Sequence, residues 1–173
     1  MNLQSTDFEL FGVPARFAQD RAQLDVRWKE LQREVHPDRF ASQGAAAQRA
    51  AMQWSARINE AYQRLKDPQR RAAYLCELNG APIQAENNTA MPPDFLMQQM
   101  ELRERLDDAH SAEALDEIDD EARQLGRDML QKIERQLDQD KDWPGAAQSV
   151  RALMFLDKLA ADVGRRHETL ESR

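Results

Sequence analysis

The sequence predicts an all-α protein built from two helical domains. Apolar residues recur every three or four positions in several long segments, which is the spacing of one face of an α-helix. Only 6 of the 173 residues are glycine, and β-branched residues are few, which argues against a large sheet. Charged residues make up 32% of the chain and the mean hydropathy is -0.81, values typical of soluble helices with narrow apolar stripes.

The first helices are predicted from turn-forming and helix-capping residues within residues 7–35. Gly12 and Pro14 mark a turn, and we expect a short helix after it through Phe17. Asp20 is a suitable N-cap for the next helix. The apolar residues of that helix recur at steps of four, three and four, and should face the core: Leu24, Trp28, Leu31 and Val35.

A short polar break, His36-Pro37-Asp38, ends this helix, because proline cannot continue it and disfavours the helical conformation at His36. The basic side chains on and beside the helix lie away from its apolar face. We call them the basic surface: Arg27, Lys29, Arg33 and Arg39. They indicate either an ordinary solvated face or a docking surface for an acidic protein partner.

Residues 45–65 predict a second long helix, with small residues that allow close packing on the first. Its inward stripe consists of Ala47, Ala51, Trp54, Ile58, Ala61 and Leu65. The two helices should form an antiparallel hairpin that carries His36, Pro37 and Asp38 at its tip. Asp67-Pro68 then starts a further helix, and Asn79-Gly80 ends it.

Residues 81–93 lack helical periodicity and end in Pro-Pro, so we interpret them as a semi-rigid linker between domains 1–80 and 94–173. In the second domain, Asp94, Ser111 and Asp142 are candidate N-caps for helices that reach about Ala109, Asp138 and Arg166. Short connections predict a three-helix bundle. Its expected core residues are Leu115, Ile118, Ala122, Leu125, Met129, Ile133, Leu137, Ala152, Leu156, Leu159, Ala160 and Val163.

The first helix of this bundle has two apolar faces. Phe95, Leu102, Leu106 and Ala109 cluster on one face, which should be the core. The remaining apolar residues, which we call the Met/Leu patch, point elsewhere: Leu96, Met97 and Met100. They mix with acidic residues, here called the acidic rim: Glu101, Glu104 and Asp108. Either the patch is exposed and docks a basic partner, with Phe155 joining it, or the bundle or the first domain covers it.

Composition excludes several classes of function. A net charge of -7 disfavours general nucleic-acid binding. Cys76 is the only cysteine, so an internal disulfide and an iron–sulfur site are excluded, and we expect no cofactor and no metal. We see no signal peptide and no membrane span, so we expect the protein in the cytoplasm. We also expect a monomer. His36 lacks a nucleophile at catalytic spacing, and His110 and His167 should be solvated, which disfavours an enzyme.

The residues up to about 78 resemble a J-domain. The resemblance rests on His36-Pro37-Asp38 at a hairpin tip, then Asn59-Glu60-Ala61-Tyr62 with Asp67-Pro68, and Arg70-Arg71 with Tyr74. It implies a protein that is not an enzyme but docks on a heat-shock ATPase of the DnaK class and accelerates its ATP hydrolysis. On this chain it implies a chaperone-binding site made of the His-Pro-Asp turn and the basic surface.

The whole chain resembles the HscB family of iron–sulfur co-chaperones, in its bacterial form. The second domain carries this resemblance through Phe95-Leu96-Met97, Glu101-Leu102-Arg103-Glu104 and Arg151 followed by Phe155-Leu156-Asp157-Lys158-Leu159. The resemblance implies two partners, an HscA-type chaperone and the iron–sulfur scaffold protein IscU. It places the scaffold on the Met/Leu patch, the acidic rim and Phe155. A general J-protein that delivers unfolded clients to a DnaK-type chaperone is the alternative.

Overall fold

The computed structural model describes residues 2–173, and within them it contains α-helices, one 3-10 helix and one π-helical turn but no strand. The chain divides into two compact units, one through Leu75 and one from Cys76 to Arg173. The all-α prediction is therefore confirmed, whereas the domain limits at 80 and 94 stay predictions. The elements are α1 (Asp7–Phe11), α2 (Arg21–Val35), the 3-10 helix (Pro37–Gln43), α3 (Ala45–Lys66), α4 (Pro68–Leu78), α5 (Pro93–Asp108), α6 (Ala112–Glu134), the π turn (Arg135–Gln139) and α7 (Trp143–Glu171).

The first unit is organised around the hairpin of α2 and α3. Its apolar seam is fully buried at Leu24, Leu31 and Ile58. Polar bonds fix the register, because the Asn59 side-chain oxygen accepts from Trp28 Nε1 at 2.9 Å and from Gln32 Nε2 at 2.7 Å. The Asn-Glu-Ala-Tyr segment that contributed to the J-domain resemblance therefore joins the two helices.

A buried carboxylate anchors α1 to this hairpin. Asp7 is fully buried and contacts two arginines of α3, Arg57 at 2.8 Å and Arg64 at 2.7 Å. Its backbone N–H donates to the Tyr74 hydroxyl at 3.1 Å. Thr6 caps α1, and Gly12 ends it with φ of 63°, a left-handed conformation that glycine adopts without a steric penalty.

The second unit is a three-helix bundle of α5, α6 and α7, as predicted. Residues 81–92 pack onto α7 through a buried arginine. The Arg151 guanidinium donates to the carbonyl oxygens of Ile83 at 3.0 Å, Ala90 at 3.1 Å and Pro82 at 3.4 Å. Because these carbonyls belong to backbone outside any helix, Arg151 supplies hydrogen bonds that the linker cannot make internally.

Several expected helix limits were wrong. The short helix expected after Pro14 is absent: the helix lies before the turn, as α1, and residues 14–17 form no helix. α5 begins at Pro93, one residue before the expected cap, with Asp94 in its first turn. The α-helical part of α6 stops at Glu134, and the π turn continues through Gln139.

α7 also differs from the prediction, because it continues to Glu171 rather than ending near Arg166. His167 consequently lies within the helix, where its Nε2 is 3.1 Å from an Asp116 carboxylate oxygen, so the expectation of a solvated ring was wrong. Ala160 is exposed, and Leu153 is buried on this helix. No helix within residues 2–173 is both long and apolar enough to cross a membrane.

Cys76 is fully buried, and burial raises the pKa of its thiol to about 11. Since the thiolate is the reactive form, we predict that an aromatic disulfide reagent at pH 8 labels the native thiol at least about a hundredfold more slowly than the unfolded thiol. Labelling in buffer and in urea, followed by absorbance, measures both rates. Equal rates would contradict the buried position.

Candidate functional site

The His-Pro-Asp connection is shaped by a cap and a 3-10 turn. His36 ends α2 with extended backbone angles, φ -58° and ψ 129°, and Pro37 starts the 3-10 helix. His36 Nδ1 accepts the backbone N–H of Asp38 at 3.2 Å, so in a neutral ring Nε2 is the nitrogen that can donate to a partner. The side chains of His36 and Asp38 are 57% and 92% exposed, so both are available for contact.

A left-handed glycine redirects the chain after this turn. Gly44 has φ of 97° and lies between the 3-10 helix and α3, where a residue with a Cβ atom would be strained. This sharp change of direction lets α3 return along α2. The hairpin therefore presents His36, Pro37 and Asp38 at its connection, as the sequence predicts.

The basic surface is only partly free. Lys29, Arg33 and Arg39 are exposed, whereas Arg27 is half-buried and pairs with Glu30 at 3.2 Å. Arg39 Nη1 donates to the Arg33 carbonyl at 3.0 Å, which satisfies an acceptor near the end of α2. One shallow groove is lined by His36, Arg33 and Arg39. The His-Pro-Asp turn therefore lies next to two of the four residues of the basic surface.

The two faces of α5 are as predicted. Phe95, Leu102 and Leu106 are at most 5% exposed. In contrast, Leu96, Met97 and Met100 are 39%, 76% and 63% exposed, which excludes the alternative that the bundle covers them. The acidic rim, Glu101, Glu104 and Asp108, is also exposed. At about 100° per residue, patch and rim share the side of α5 that faces away from the core.

Phe155 of α7 lies beside α5 and is held on two sides. Its ring meets the Phe95 ring edge to face, with centroids 5.8 Å apart. The Arg103 guanidinium lies over the Phe155 ring at 5.2 Å and pairs with Asp162 at 2.5 Å. Phe155 is half-buried, so part of its ring is left for contact next to the start of α5.

Among the exposed apolar side chains that the sequence analysis missed, two lie beside predicted site residues. Val26 of α2 is 57% exposed and Met154 of α7 is 38% exposed, and both lie next to predicted site residues in the chain. The stripe of α2 already excluded Val26 from the core, so its exposure could have been predicted. Met154 could not, because α7 is broadly apolar and several faces of it are buried.

The fold and the turn define a class of protein. The first unit, a helical hairpin with His-Pro-Asp at its connection, is a J-domain, and a C-terminal helical bundle follows it. Residues 91–164 match the family model described as the HSCB C-terminal oligomerisation domain.

Several proteins named HscB are similar to this chain over almost its full length. A co-chaperone protein HscB homolog of Burkholderia thailandensis is 50% identical over 99% of both chains, and one of Burkholderia cenocepacia is 47% identical over the same shares. The solved HscB of Vibrio cholerae has 39% identity and a TM-score of 0.78, covering 96% of this chain and 99% of its own. Human HscB, at 24% identity, shares the fold with a TM-score of 0.87 over 96% and 84% of the two chains. The chain therefore belongs to the HscB family of co-chaperones.

Proposed function

We propose that this co-chaperone acts in the cytoplasm, where it stimulates ATP hydrolysis by an HscA-type chaperone and delivers an IscU-type iron–sulfur scaffold to it. The observation that carries the proposal is the presence of two exposed surfaces of opposite charge, one on each compact unit. A protein with one partner needs only one such surface. Two chemically different surfaces suit a protein that brings two partners together.

The first surface suits an acidic face of the chaperone. Lys29 and Arg33 extend into solvent along α2, and such charges raise the rate of encounter and orient the partner. The stiff connection then presents the His36 ring and the Asp38 carboxylate in a fixed geometry, so little ordering is needed on binding. This arrangement fits contact with a partner whose own site carries out the chemistry.

The second surface suits the scaffold. Leu96, Met97 and Met100 offer flexible apolar contacts, and thioethers adapt to the shape of a partner. The adjoining acidic rim favours a partner with basic residues around an apolar centre. Phe155, which contacts Phe95 and Arg103, adds an aromatic side chain of the kind enriched at protein–protein interfaces.

Single-turnover hydrolysis of ATP by an HscA-type chaperone tests the whole proposal. The chaperone is assayed alone, with this chain, with the scaffold, and with both. We expect the chain to accelerate hydrolysis and the scaffold to increase that acceleration further, whereas the chain without chaperone should hydrolyse nothing. Stimulation that is unchanged by the scaffold would contradict delivery and would favour the general J-protein that serves unfolded clients.

Replacing Leu96, Met97 and Met100 together by Ala should weaken scaffold binding by about two orders of magnitude, because apolar contacts at an interface centre dominate affinity. The free energy of unfolding should change by only about 1 kcal/mol or less, since all three side chains are exposed. Isothermal titration calorimetry and urea unfolding measure the two quantities. Met52→Ala, an equally exposed change on α3, is the matched control and should bind normally.

A second copy of the chain is the competing occupant of the Met/Leu patch, because the matched family model is described as an oligomerisation domain. Sedimentation of the unmodified chain and of the triple Ala variant separates the two occupants. A monomer in both cases leaves the patch free for the scaffold. A dimer that the triple variant abolishes would assign the patch to self-association instead.

A further inference from the structure

We propose that Met97 and Met100 form a reversible oxidation site, at which conversion to methionine sulfoxide by hydrogen peroxide releases the scaffold. The inference rests on the proposed function, because it requires the scaffold to bind the Met/Leu patch. It adds a redox response to that surface. Both sulfur atoms belong to side chains of α5 that face solvent.

Exposure makes both of these thioethers accessible to peroxide. Among the methionines within residues 2–173, Met97 and Met100 are the most exposed, at 76% and 63%. Met129 is 8% exposed in the bundle core, which shields it. Reaction with a dissolved oxidant follows accessibility, so the surface patch is oxidised before the core.

The only cysteine does not compete for the oxidant. Cys76 is fully buried, and its thiolate, the form that attacks peroxide, is scarce because burial raises the pKa of this thiol to about 11. The chain therefore has no accessible thiol to act as a sensor. The sulfur atoms that a dissolved oxidant can reach are therefore those of exposed methionines.

The chemical step is a two-electron transfer. The thioether sulfur attacks one peroxide oxygen, a sulfur–oxygen bond forms, and the oxygen–oxygen bond breaks. The departing hydroxide takes up the remaining proton and leaves as water. Methionine is oxidised to the sulfoxide, and the peroxide is reduced.

The sulfoxide changes the patch from apolar to polar. A flexible apolar side chain becomes a polar, chiral one, and its oxygen must lose water when the scaffold covers it. Neighbouring Glu101 and Glu104 are hydrogen-bond acceptors when ionised, so they offer the sulfoxide oxygen no donor. Each oxidation should therefore weaken scaffold binding by about tenfold.

The experiment oxidises the full chain with dilute hydrogen peroxide, locates sulfoxides by peptide mass spectrometry, and titrates the product into an IscU-type scaffold. The variant Met97→Leu with Met100→Leu keeps the apolar surface but cannot be oxidised there. We expect peroxide to weaken binding by the unmodified chain and leave the Leu variant unaffected. Methionine sulfoxide reductases should restore the affinity of the treated chain.

Met52→Leu is the matched control, because Met52 is 59% exposed on α3, outside the patch. This variant should lose affinity on treatment as the unmodified chain does. Full affinity with Met97 and Met100 both oxidised, or an equal loss in the Leu variant, would overturn the oxidation site alone. Failure of the untreated chain to bind the scaffold would overturn the proposed function and this inference together.

Discussion

His36→Gln should reduce stimulation of the chaperone to its basal rate of ATP hydrolysis while leaving the fold and scaffold binding intact. The side chain is 57% exposed and makes one hydrogen bond within the turn, from the Asp38 N–H, so its loss costs the fold about 1 kcal/mol or less. Glutamine keeps a similar length and an acceptor oxygen. It lacks the imidazole ring, whose Nδ1 accepts from the Asp38 N–H.

The measurement is single-turnover ATP hydrolysis by an HscA-type chaperone, with circular dichroism and scaffold titration on the same protein preparations. His110→Gln is the matched control, since His110 is an exposed histidine between α5 and α6 in the second unit. That variant should stimulate fully. If His36→Gln also stimulates fully, the His-Pro-Asp turn does not act on the chaperone; if it unfolds, His36 is a structural residue.

Periodicity predicted the parts of this protein that are held together by apolar contacts. Leu24, Leu31 and Val35 recur at helical spacing and are buried on α2. The same reasoning separated the core face of α5 from Met97 and Met100, because a helix cannot turn both sets inward. Burial was therefore predicted best for helices that have one apolar face toward the core and one polar face toward solvent.

Buried charged residues escaped prediction because sequence patterns assign charges to the surface. Asp7, Arg71 and Arg151 are each at most 7% exposed. The two arginines donate to backbone carbonyl oxygens, Arg151 to those of Ile83, Ala90 and Pro82, and Arg71 to those of Phe17 and Leu65. Apart from Leu65, these partners lie more than 50 residues away in the chain, so no local pattern contains them.

Helix ends were the other source of error, since they depend on contacts beyond the helix. α7 extends past Arg166, whose guanidinium donates to the Asp107 carbonyl at 3.1 Å near the end of α5. His167 adds the contact with Asp116 of α6. Both bonds tie the last turns of α7 to the bundle, which explains why the helix does not stop where its apolar stripe does.

Asp7→Ala should lower the free energy of unfolding of the first unit by about 3 kcal/mol or more, because removal of one partner from a buried ion pair leaves the other charge uncompensated. The variant leaves two arginines of α3, Arg57 and Arg64, without their shared carboxylate. Both guanidinium groups are themselves only 15% and 26% exposed, so water replaces the lost contact poorly. Urea unfolding followed by tryptophan fluorescence in a Trp143→Phe background, which leaves Trp28 and Trp54, reports on this unit.

Glu60→Ala isolates the effect of burial, because Glu60 pairs with the same Arg64, at 3.2 Å, but is 56% exposed. That variant should lose only about 0.5 kcal/mol or less. A similar loss in both variants would mean that Asp7 is not the anchor of α1. Since α1 packs on α3 and Asp7 takes no part in the His-Pro-Asp turn, Asp7→Ala should still stimulate the chaperone at temperatures where it remains folded. Its activity should therefore fall with the folded fraction, whereas His36→Gln should be inactive at every temperature.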